Sequence, residues 1–501
     1  MQRLPIAVLC LLLTPMLGQA QISRALERME EQVRRSRDQM REMNERMQKD
    51  REEMNRAMQE AATALGQEGA IQRPGSSPVF ASPLSQNDLD SGGLMLPRGD
   101  IKHSQGERLK VRDQDGNSVV GKLHVRVGDS NIVMLPDGML KVFSNTEATP
   151  TEDNFVPLDM DAIEERLLQD PRLAGFKTIR SRRFLYVYNT SELFVRSSRT
   201  ILESMYPAVQ KYFKRSKVDV HEPELPLVVI AFATEDQFQE YRRMPRGVVA
   251  YYDGISNAVM FYERSALSQH APEIAVKNAI STIAHEGAHQ ILHNIGVQQR
   301  LSKWPMWLSE GLAEFYAPTS VAKGVKWSGL GSPNELRMFE ISKSWESDRS
   351  FGSGRVVRDL TNANELSSLD YAYSWGLVHM LSRRHQKELF ACIAQCSELK
   401  PLDGTDLATT GVVDSDDVFS KHFGDQYSEL EQELKKHLLS LNYVDPVANQ
   451  THYLVITGGR VIMTSSPESV KEIQRSSFGK VSIKRFPNRA AAELAMQSLT
   501  R

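Results

Sequence analysis

The chain has 501 residues, of which 41% are hydrophobic and 25% are charged, the balance typical of an ordinary globular protein. A formal net charge of -2 gives no overall electrostatic basis for binding nucleic acid or an acidic membrane surface. The length is sufficient for about three domains of usual size.

Residues 1–20 have the pattern of a secretory signal peptide. Arg3 supplies a positive charge, and the apolar stretch from Leu4 to Leu17 is too short to span a bilayer. Gly18 and Ala20 are small residues at the positions that a signal peptidase reads, which predicts cleavage after Ala20. No other apolar run is long enough for a transmembrane helix, so we expect a secreted or periplasmic protein. A short buried helix or a membrane anchor is the alternative.

Residues 21–65 are predicted to form a coiled-coil helix. The stretch 22–65 contains neither Pro nor Gly, which favours a continuous helix. A coiled coil has two core positions in every seven residues, and at the second of these Ser36 and Asp50 interrupt the apolar pattern. Apolar residues recur every seven positions, as in a helical seam: Leu26, Val33, Met40, Met47, Met54 and Ala61. The pattern indicates a homo-oligomer formed through residues 22–65, or docking of a partner. A solvated single helix is the alternative.

Composition divides the rest of the chain into four segments. Residues 66–100 are rich in Gly, Ser, Pro and Asn without periodicity, which is typical of a linker. Residues 101–147 alternate apolar and polar side chains between Asp-Gly turns, which predicts a small antiparallel β module. Residues 155–445 mix strand and helix patterns, and residues 449–501 have the pattern of a separate small α/β module. The expected fold class is α+β.

An H-E-x-x-H motif runs from His285 to His289, inside a helix predicted for residues 272–293. Residues four positions apart lie on one helical face, so both imidazoles can reach one ion. Glu286 stands next to His285, where it can hold a water molecule beside that ion and act as a catalytic base. The alternative is two polar residues on a solvated helix face.

A catalytic zinc site needs three protein ligands and an open position. His293 follows His289 on the same helix but lies about 6 Å further along it, too far to join the same ion. Leu292 and Ile295 stand where the metzincin motif has Gly and His, which excludes that class. Glu310, on the next predicted helix and twenty-one residues after His289, is the candidate third ligand.

The helix that carries Glu310 has two further features. Glu314 lies one turn beyond Glu310 and can accept a hydrogen bond from the far nitrogen of a zinc-binding histidine, which would fix its tautomer. Gly311 and Ala313 are small, and we expect them to let this helix approach the H-E-x-x-H helix closely. For Glu310 and Glu314 the alternative is a solvated helix face.

The stretches Thr282 to Gln290 and Pro305 to Phe315 resemble the gluzincin clan of metallopeptidases, in particular its peptidase-MA-like bacterial members. The resemblance covers roughly residues 180–440 and implies a zincin-like peptidase domain, with a mixed sheet and two active-site helices, within residues 155–445. It also implies an antiparallel edge strand that pairs with extended peptide, for which Ala258 to Tyr262 is the candidate.

The same resemblance implies a ligand set and a reaction. Zn²⁺ is expected to be bound by His285, His289 and Glu310, and Glu286 is expected to take the proton of the attacking water. The sequence lacks an aminopeptidase motif such as Gly-x-Met-Glu-Asn, which argues against that activity and leaves the substrate unassigned.

The oxyanion of a tetrahedral intermediate needs a further hydrogen-bond donor. Tyr371, Tyr373 and His379 lie on a predicted helix after the active-site pair. Tyr371 is the first candidate, because the related proteins have a Tyr near this point. A packing role is the alternative for each of the three residues.

Two features lie outside this constellation. Cys392 and Cys396 remain after signal cleavage and stand four residues apart, which is poor geometry for a disulfide within one helix. Val481 to Ala495 resembles the second half of a sporulation-related (SPOR) repeat, a peptidoglycan-binding fold, and a generic strand-turn-helix is the alternative.

These residues together predict an exported zinc peptidase, most simply an endopeptidase, that acts on protein or peptide substrates. The alternative is a catalytically silent, peptidase-like scaffold or binding protein of the cell envelope. The intact set of His285, Glu286, His289 and Glu310 favours the enzyme, since a scaffold has no use for a base beside two ligands.

Overall fold

The computed structural model describes residues 94–95 and 99–499, with internal gaps. The gaps are residues 216–217, 245–247, 265–271, 321–324, 348–350, 404–414, 446–450, 458–459, 466, 477–480, 488–490, 493–494 and 497–498. The predicted signal peptide, the predicted coiled coil with its homo-oligomer, and nearly all of the predicted linker therefore lie outside the described residues.

Residues 101–150 form an antiparallel sheet, which is called the β module below. Alternation of buried and exposed side chains is clear along its longest strand, where Gly121, Leu123, Val125 and Val127 are buried. The strands are β1 (Ile101–His103), β2 (Arg108–Arg112), β3 (Ser118–Val127), β4 (Ser130–Met134), β5 (Leu140–Ser144) and β6 (Thr149–Pro150). Their order is β5-β4-β3-β2-β6, and β1 pairs with the end of β3.

A mixed five-stranded sheet follows, as expected for an α+β fold. Its strands are β7 (Lys177–Arg180), β8 (Phe184–Tyr188), β9 (Leu227–Thr234), β10 (Ala250–Asp253) and β11 (Ala258–Arg264). Their order is β10-β11-β9-β8-β7. The inner pairs β8–β9 and β9–β11 are parallel, whereas the outer pairs β7–β8 and β10–β11 are antiparallel.

The prediction that Ala258 to Tyr262 is the antiparallel edge strand is wrong. These residues lie in β11, which pairs with β9 on one side and with β10 on the other. The edge strand on this side of the sheet is β10 (Ala250–Asp253), and β7 forms the opposite edge. Alternation of apolar and polar residues predicts a strand but not its neighbours in the sheet. Whether a strand lies at an edge depends on those neighbours.

Helices cover both faces of this sheet. On one face, α2 (Glu192–Arg215) and α4 (Pro272–Asn294) pack in the larger core. Each has an apolar stripe, which includes Leu202 in α2 and Ile291 in α4. On the other face, α1 (Met160–Gln169) and α3 (Glu235–Tyr241) contribute Ile163 and Phe238 to a smaller core.

The remaining helices of the central region extend the larger core. They are α5 (Met306–Tyr316), α6 (Glu335–Ser347), α7 (Arg355–Asn362), α8 (Ser368–Arg384), α9 (Gln386–Ser397), α10 (Ser415–Phe423) and α11 (Tyr427–Leu439), with short strands β12 (Thr319–Ser320) and β13 (Lys326–Trp327). Cys392 and Cys396 both lie on α9, where they are buried and not bridged.

Helix α5 contacts the H-E-x-x-H helix α4 as expected, but Gly311 itself faces a different neighbour. A Cβ atom at Gly311 would lie 2.7 Å from the carbonyl oxygen of Ser374 and 2.7 Å from a methyl carbon of Val378. Both residues belong to α8, not to the H-E-x-x-H helix α4. The glycine therefore brings α5, which carries Glu310, against α8, which carries Tyr371.

The C-terminal residues form a small three-stranded antiparallel sheet. Strand β14 (His452–Thr457) lies between β15 (Arg460–Thr464) and β16 (Ser482–Phe486), and α12 (Pro467–Ser476) contacts β14. None of the described helices has the length and apolarity needed to cross a membrane.

Candidate metal centre

The motif residues are presented by α4. Apolar side chains at helical spacing, Ile283, Ala288 and Ile291, are buried in the larger core and fix the rotation of this helix. His285 and His289 are one turn apart and so project together towards α5. The helix is thereby a rigid support for both imidazoles.

Three candidate ligand atoms converge between α4 and α5. The Nε2 atoms of His285 and His289 are 3.2 Å apart, and Oε2 of Glu310 lies 3.1 Å from the first and 3.3 Å from the second. All three residues are buried, at 8%, 9% and 6% exposure. In the part of the chain that the structure describes, this is the one such group of His, Cys, Asp or Glu side chains. These atoms could hold a metal ion.

The second nitrogen of His285 faces Glu314, as the spacing predicted. Nδ1 of His285 lies 3.1 Å from Oε1 of Glu314. The same oxygen accepts a 2.7 Å hydrogen bond from Arg337 Nη2, and Oε2 accepts one of 2.8 Å from Asn334 Nδ2. Glu314 is therefore oriented by residues of α6 and its preceding loop, and it keeps Nε2 of His285 directed at the ligand group.

The charges around the ligand group perturb one another. Burial acts to raise the pKa of Glu310, but the charge of His289 and hydrogen bonds from His285 and His289 outweigh it and lower that pKa. Burial also acts to raise the pKa of Glu314, but Arg337 and His285 outweigh it and lower that pKa to about 2. Both carboxylates are thus ionised at neutral pH, as anionic ligands and acceptors must be.

Glu286 stands beside the ligand group and is anchored by the edge strand. Its Oε2 accepts a 2.7 Å hydrogen bond from the backbone N–H of Tyr252 on β10. Burial raises the pKa of Glu286, partly offset by the nearby His285 and His289. A carboxylate with a raised pKa is better suited to accepting and returning a proton than an ordinary glutamate.

A cleft reaches the site, and its lining comes from α4, α5, α6, α8 and the loop before α6. The lining residues are Asn278, Ser281, Thr282, His285, Glu286, Glu314, Asn334, Leu336, Arg337, Glu340 and Tyr371. A molecule in this cleft would therefore contact the proposed base, the first motif histidine and Tyr371 together.

Of the three donors considered on α8, Tyr371 is the one at the site. Its ring centre lies 6.0 Å from that of His285, and burial raises the pKa of its phenol well above the ordinary value. The hydroxyl of Tyr373 instead lies 2.8 Å from Ser344 Oγ, and Nδ1 of His379 lies 2.7 Å from Nε2 of His437. Neither Tyr373 nor His379 is among the residues that line the cleft.

Sequence reasoning missed three contributors to the site: Arg337, Asn334 and the N–H of Tyr252. The first two act on Glu314 from a loop and helix whose position depends on packing, and no fixed spacing links them to the motif. The third is a backbone group, which has no residue-type signature. His293 is not part of the ligand group among the described residues.

Comparison with known families gives a match over the segment that carries the candidate site. Residues 279–403 match the family described as "Protein of unknown function (DUF1570)". This segment is 125 of the 501 residues and includes His285, His289, Glu310 and Tyr371. No curated protein matches the chain. The chain is thus similar to this family across α5 to α9 and most of α4, and the comparisons assign no activity.

Proposed function

We propose that the chain is an exported zinc peptidase of the gluzincin type, which hydrolyses peptide bonds with Glu286 as general base. The observation that carries the proposal is the convergence of His285, His289 and Glu310 with a further carboxylate, Glu286, at the wall of an open cleft. Export rests on the signal-peptide pattern of residues 1–20.

The ligand geometry supports a four-coordinate zinc ion. In a tetrahedral site with bonds of about 2.0–2.1 Å, the ligand atoms lie roughly 3.3–3.4 Å from one another. The separations of 3.1, 3.2 and 3.3 Å between the three candidate atoms are close to these edges. Two imidazoles and one carboxylate leave a fourth position open, as catalytic zinc sites do.

The chemistry divides between the ion and the side chains. A zinc ion in this site supplies a Lewis acid that polarises the scissile carbonyl and makes water more acidic. Glu286 accepts the proton of the attacking water and then gives it to the nitrogen of the broken bond. The bond from Tyr252 N–H occupies Oε2 and leaves Oε1 of Glu286 for this transfer. The protonated phenol of Tyr371 is the donor for the oxyanion.

Strand β10 replaces β11 as the proposed docking edge for an extended peptide. The N–H of Tyr262 donates to the carbonyl of Val249 at 3.3 Å, so residues 249, 251 and 253 face β11. The peptide groups of Ala250 and Tyr252 point to the other side, where Tyr252 meets Glu286. Because the N–H of Tyr252 is taken by Glu286, a substrate strand would pair through the remaining outward peptide groups of this edge, beside the base.

The proposal is tested by replacing Glu286 with Gln in the mature protein and mapping the cleavage products of an unfolded protein substrate. Wild type should cleave it, and the Glu286→Gln variant should lose cleavage while keeping its metal, because the three ligands are unchanged. Equal cleavage by the variant would show that Glu286 is not the base. Zinc binding without any cleavage by wild type would favour a scaffold with a peptidase-like site.

A further inference from the structure

The β10–β11 hairpin is held from two sides, and this arrangement gives the β module a role. On the inner side, α4 is hydrogen-bonded to Asn257 in the hairpin turn. Nδ2 of Asn257 donates to Asn294 Oδ1 at 2.9 Å, and Nδ2 of Asn294 donates back to Asn257 Oδ1 at 2.7 Å. Gln290 Nε2 donates to the carbonyl of Asn257 at 3.0 Å. The helix that carries Glu286 thus also positions the turn that follows β10.

On the outer side, Arg300 joins the hairpin turn to the β module. Its Nε donates to the carbonyl of Gly254 at 2.6 Å and its Nη2 to that of Ile255 at 2.5 Å. Its Nη1 donates to the carbonyl of Gly138, in the β4–β5 turn of the β module, at 2.7 Å. One buried guanidinium therefore fixes three backbone carbonyls from two different sheets.

An apolar contact reinforces this attachment of the hairpin turn to the β module. The side chain of Ile255 is 7% exposed and belongs to a cluster that includes Val125, Val127 and Leu140 of the β module. The carbonyl of Ile255 also accepts a 2.9 Å hydrogen bond from the N–H of Leu140 at the start of β5. The tip of the hairpin is therefore inserted into the core of the β module, although the two segments are more than a hundred residues apart in sequence.

We propose that the β module is a brace for the catalytic base, with Arg300 as its positioning residue. The pinned turn directly follows β10, and β10 supplies the Tyr252 N–H that holds Glu286. Release of the turn from the β module lets β10 shift, so Glu286 loses its fixed orientation while His285, His289 and Glu310 stay in place on α4 and α5. The inference rests on the proposed peptidase activity, but its structural half is testable without it.

The test compares wild type with Arg300→Gln and Ile255→Ala in the full mature chain, using one peptide that wild type cleaves. We expect kcat to fall about tenfold to a hundredfold, since small misplacement of a reacting group has effects of this size. Zinc affinity, measured by competition with a chelator, should stay within about twofold, because the ligands do not move. Amide exchange in residues 250–253 should become faster.

Arg108→Gln is the matched control. Arg108 also belongs to the β module, but it bonds to Asn154 and has no contact with the hairpin among the described bonds. This variant should leave kcat and exchange in β10 unchanged. If Arg300→Gln does not fold, Arg300→Lys keeps the charge with fewer donors and should show an intermediate fall in kcat.

The brace is overturned if folded Arg300 and Ile255 variants keep both wild-type kcat and wild-type exchange in β10. It is also overturned if zinc affinity falls in step with kcat, because the damage would then be general. If wild type proves to have no peptidase activity, the proposed function fails, and exchange in residues 250–253 alone still decides whether the β module fixes β10.

Discussion

Oε1 of Glu314 lies 3.1 Å from Nδ1 of His285, which ties one motif histidine to the helix that carries Glu310. The carboxylate is held from its other side by Arg337 and Asn334. The imidazole is therefore oriented before any ion arrives, and its second nitrogen faces His289 and Glu310. Such outer partners are expected to contribute measurably to metal affinity.

Replacing Glu314 by Gln should weaken zinc binding by about tenfold to a hundredfold, since the anionic acceptor for His285 is lost. Competition with a chromogenic chelator measures this change. Glu340→Gln is the control, because Glu340 also accepts from Arg337 but is not bonded to the motif histidines. Equal zinc affinity in wild type and Glu314→Gln would show that this carboxylate does not support the ligand.

Replacing Tyr371 by Phe should lower kcat by about tenfold to a hundredfold, because one donor to the oxyanion is lost. Zinc affinity should not change, since the phenol is not a ligand. Tyr373→Phe is the matched control on the same helix: its hydroxyl meets Ser344, away from the cleft, so kcat should stay at the wild-type value. If Tyr371→Phe keeps the wild-type kcat, Tyr371 is not the oxyanion donor and has only a packing role.

Replacing Gly311 by Ala should destabilise the protein by about 1–3 kcal/mol, because the added methyl meets rigid backbone of α8. Urea denaturation measures the loss. Gly376→Ala is the control, since its Cβ would face the flexible ends of Leu438 and Leu434 at 3.3 Å or more. A Gly311 variant as stable as the Gly376 variant would mean that α5 and α8 have more room than this contact indicates.

Stability should fall as the pH drops below about 6.5, and His124 should account for part of the fall. Burial, together with the charge of Arg300, lowers the pKa of His124 from 6.5 to about 4. Between pH 6.5 and about 4, His124 is protonated in the unfolded chain but stays neutral in the folded chain. Lowering the pH through this range therefore favours unfolding.

His124→Gln should flatten this dependence, since its amide can still donate to the carbonyl of Arg300, which lies 2.8 Å from Nε2 of His124. Urea denaturation of both proteins at several pH values gives the comparison. His293 and His437, whose pKa values are also lowered, act in the same direction in both proteins, so the difference isolates His124. Parallel curves would contradict a His124 that stays neutral in the folded protein.

The candidate ligands could be predicted because helix geometry is local. His285 and His289 share a face at any i, i+4 spacing, and Glu310 needs only the next helix to pack against the first. Glu314 followed from the same helical repeat. The donor to Glu286 could not be predicted, because it is the main-chain N–H of Tyr252 and depends on where β10 lies in the sheet.

Strand order and helix partners were the features that the sequence did not determine. Ala258 to Tyr262 was predicted as a strand correctly and as the edge wrongly, since pairing with β9 is a long-range choice. Gly311 signalled a close helix neighbour but not that the neighbour is α8.

The most direct test of the central claim is zinc stoichiometry in purified mature protein and in three variants, His285→Ala, His289→Ala and Glu310→Gln. One zinc per chain in wild type and in Glu286→Gln, with loss of high-affinity binding in each of the three variants, is the predicted result. Failure of wild type to bind zinc, or undiminished binding in the three variants, would contradict the site.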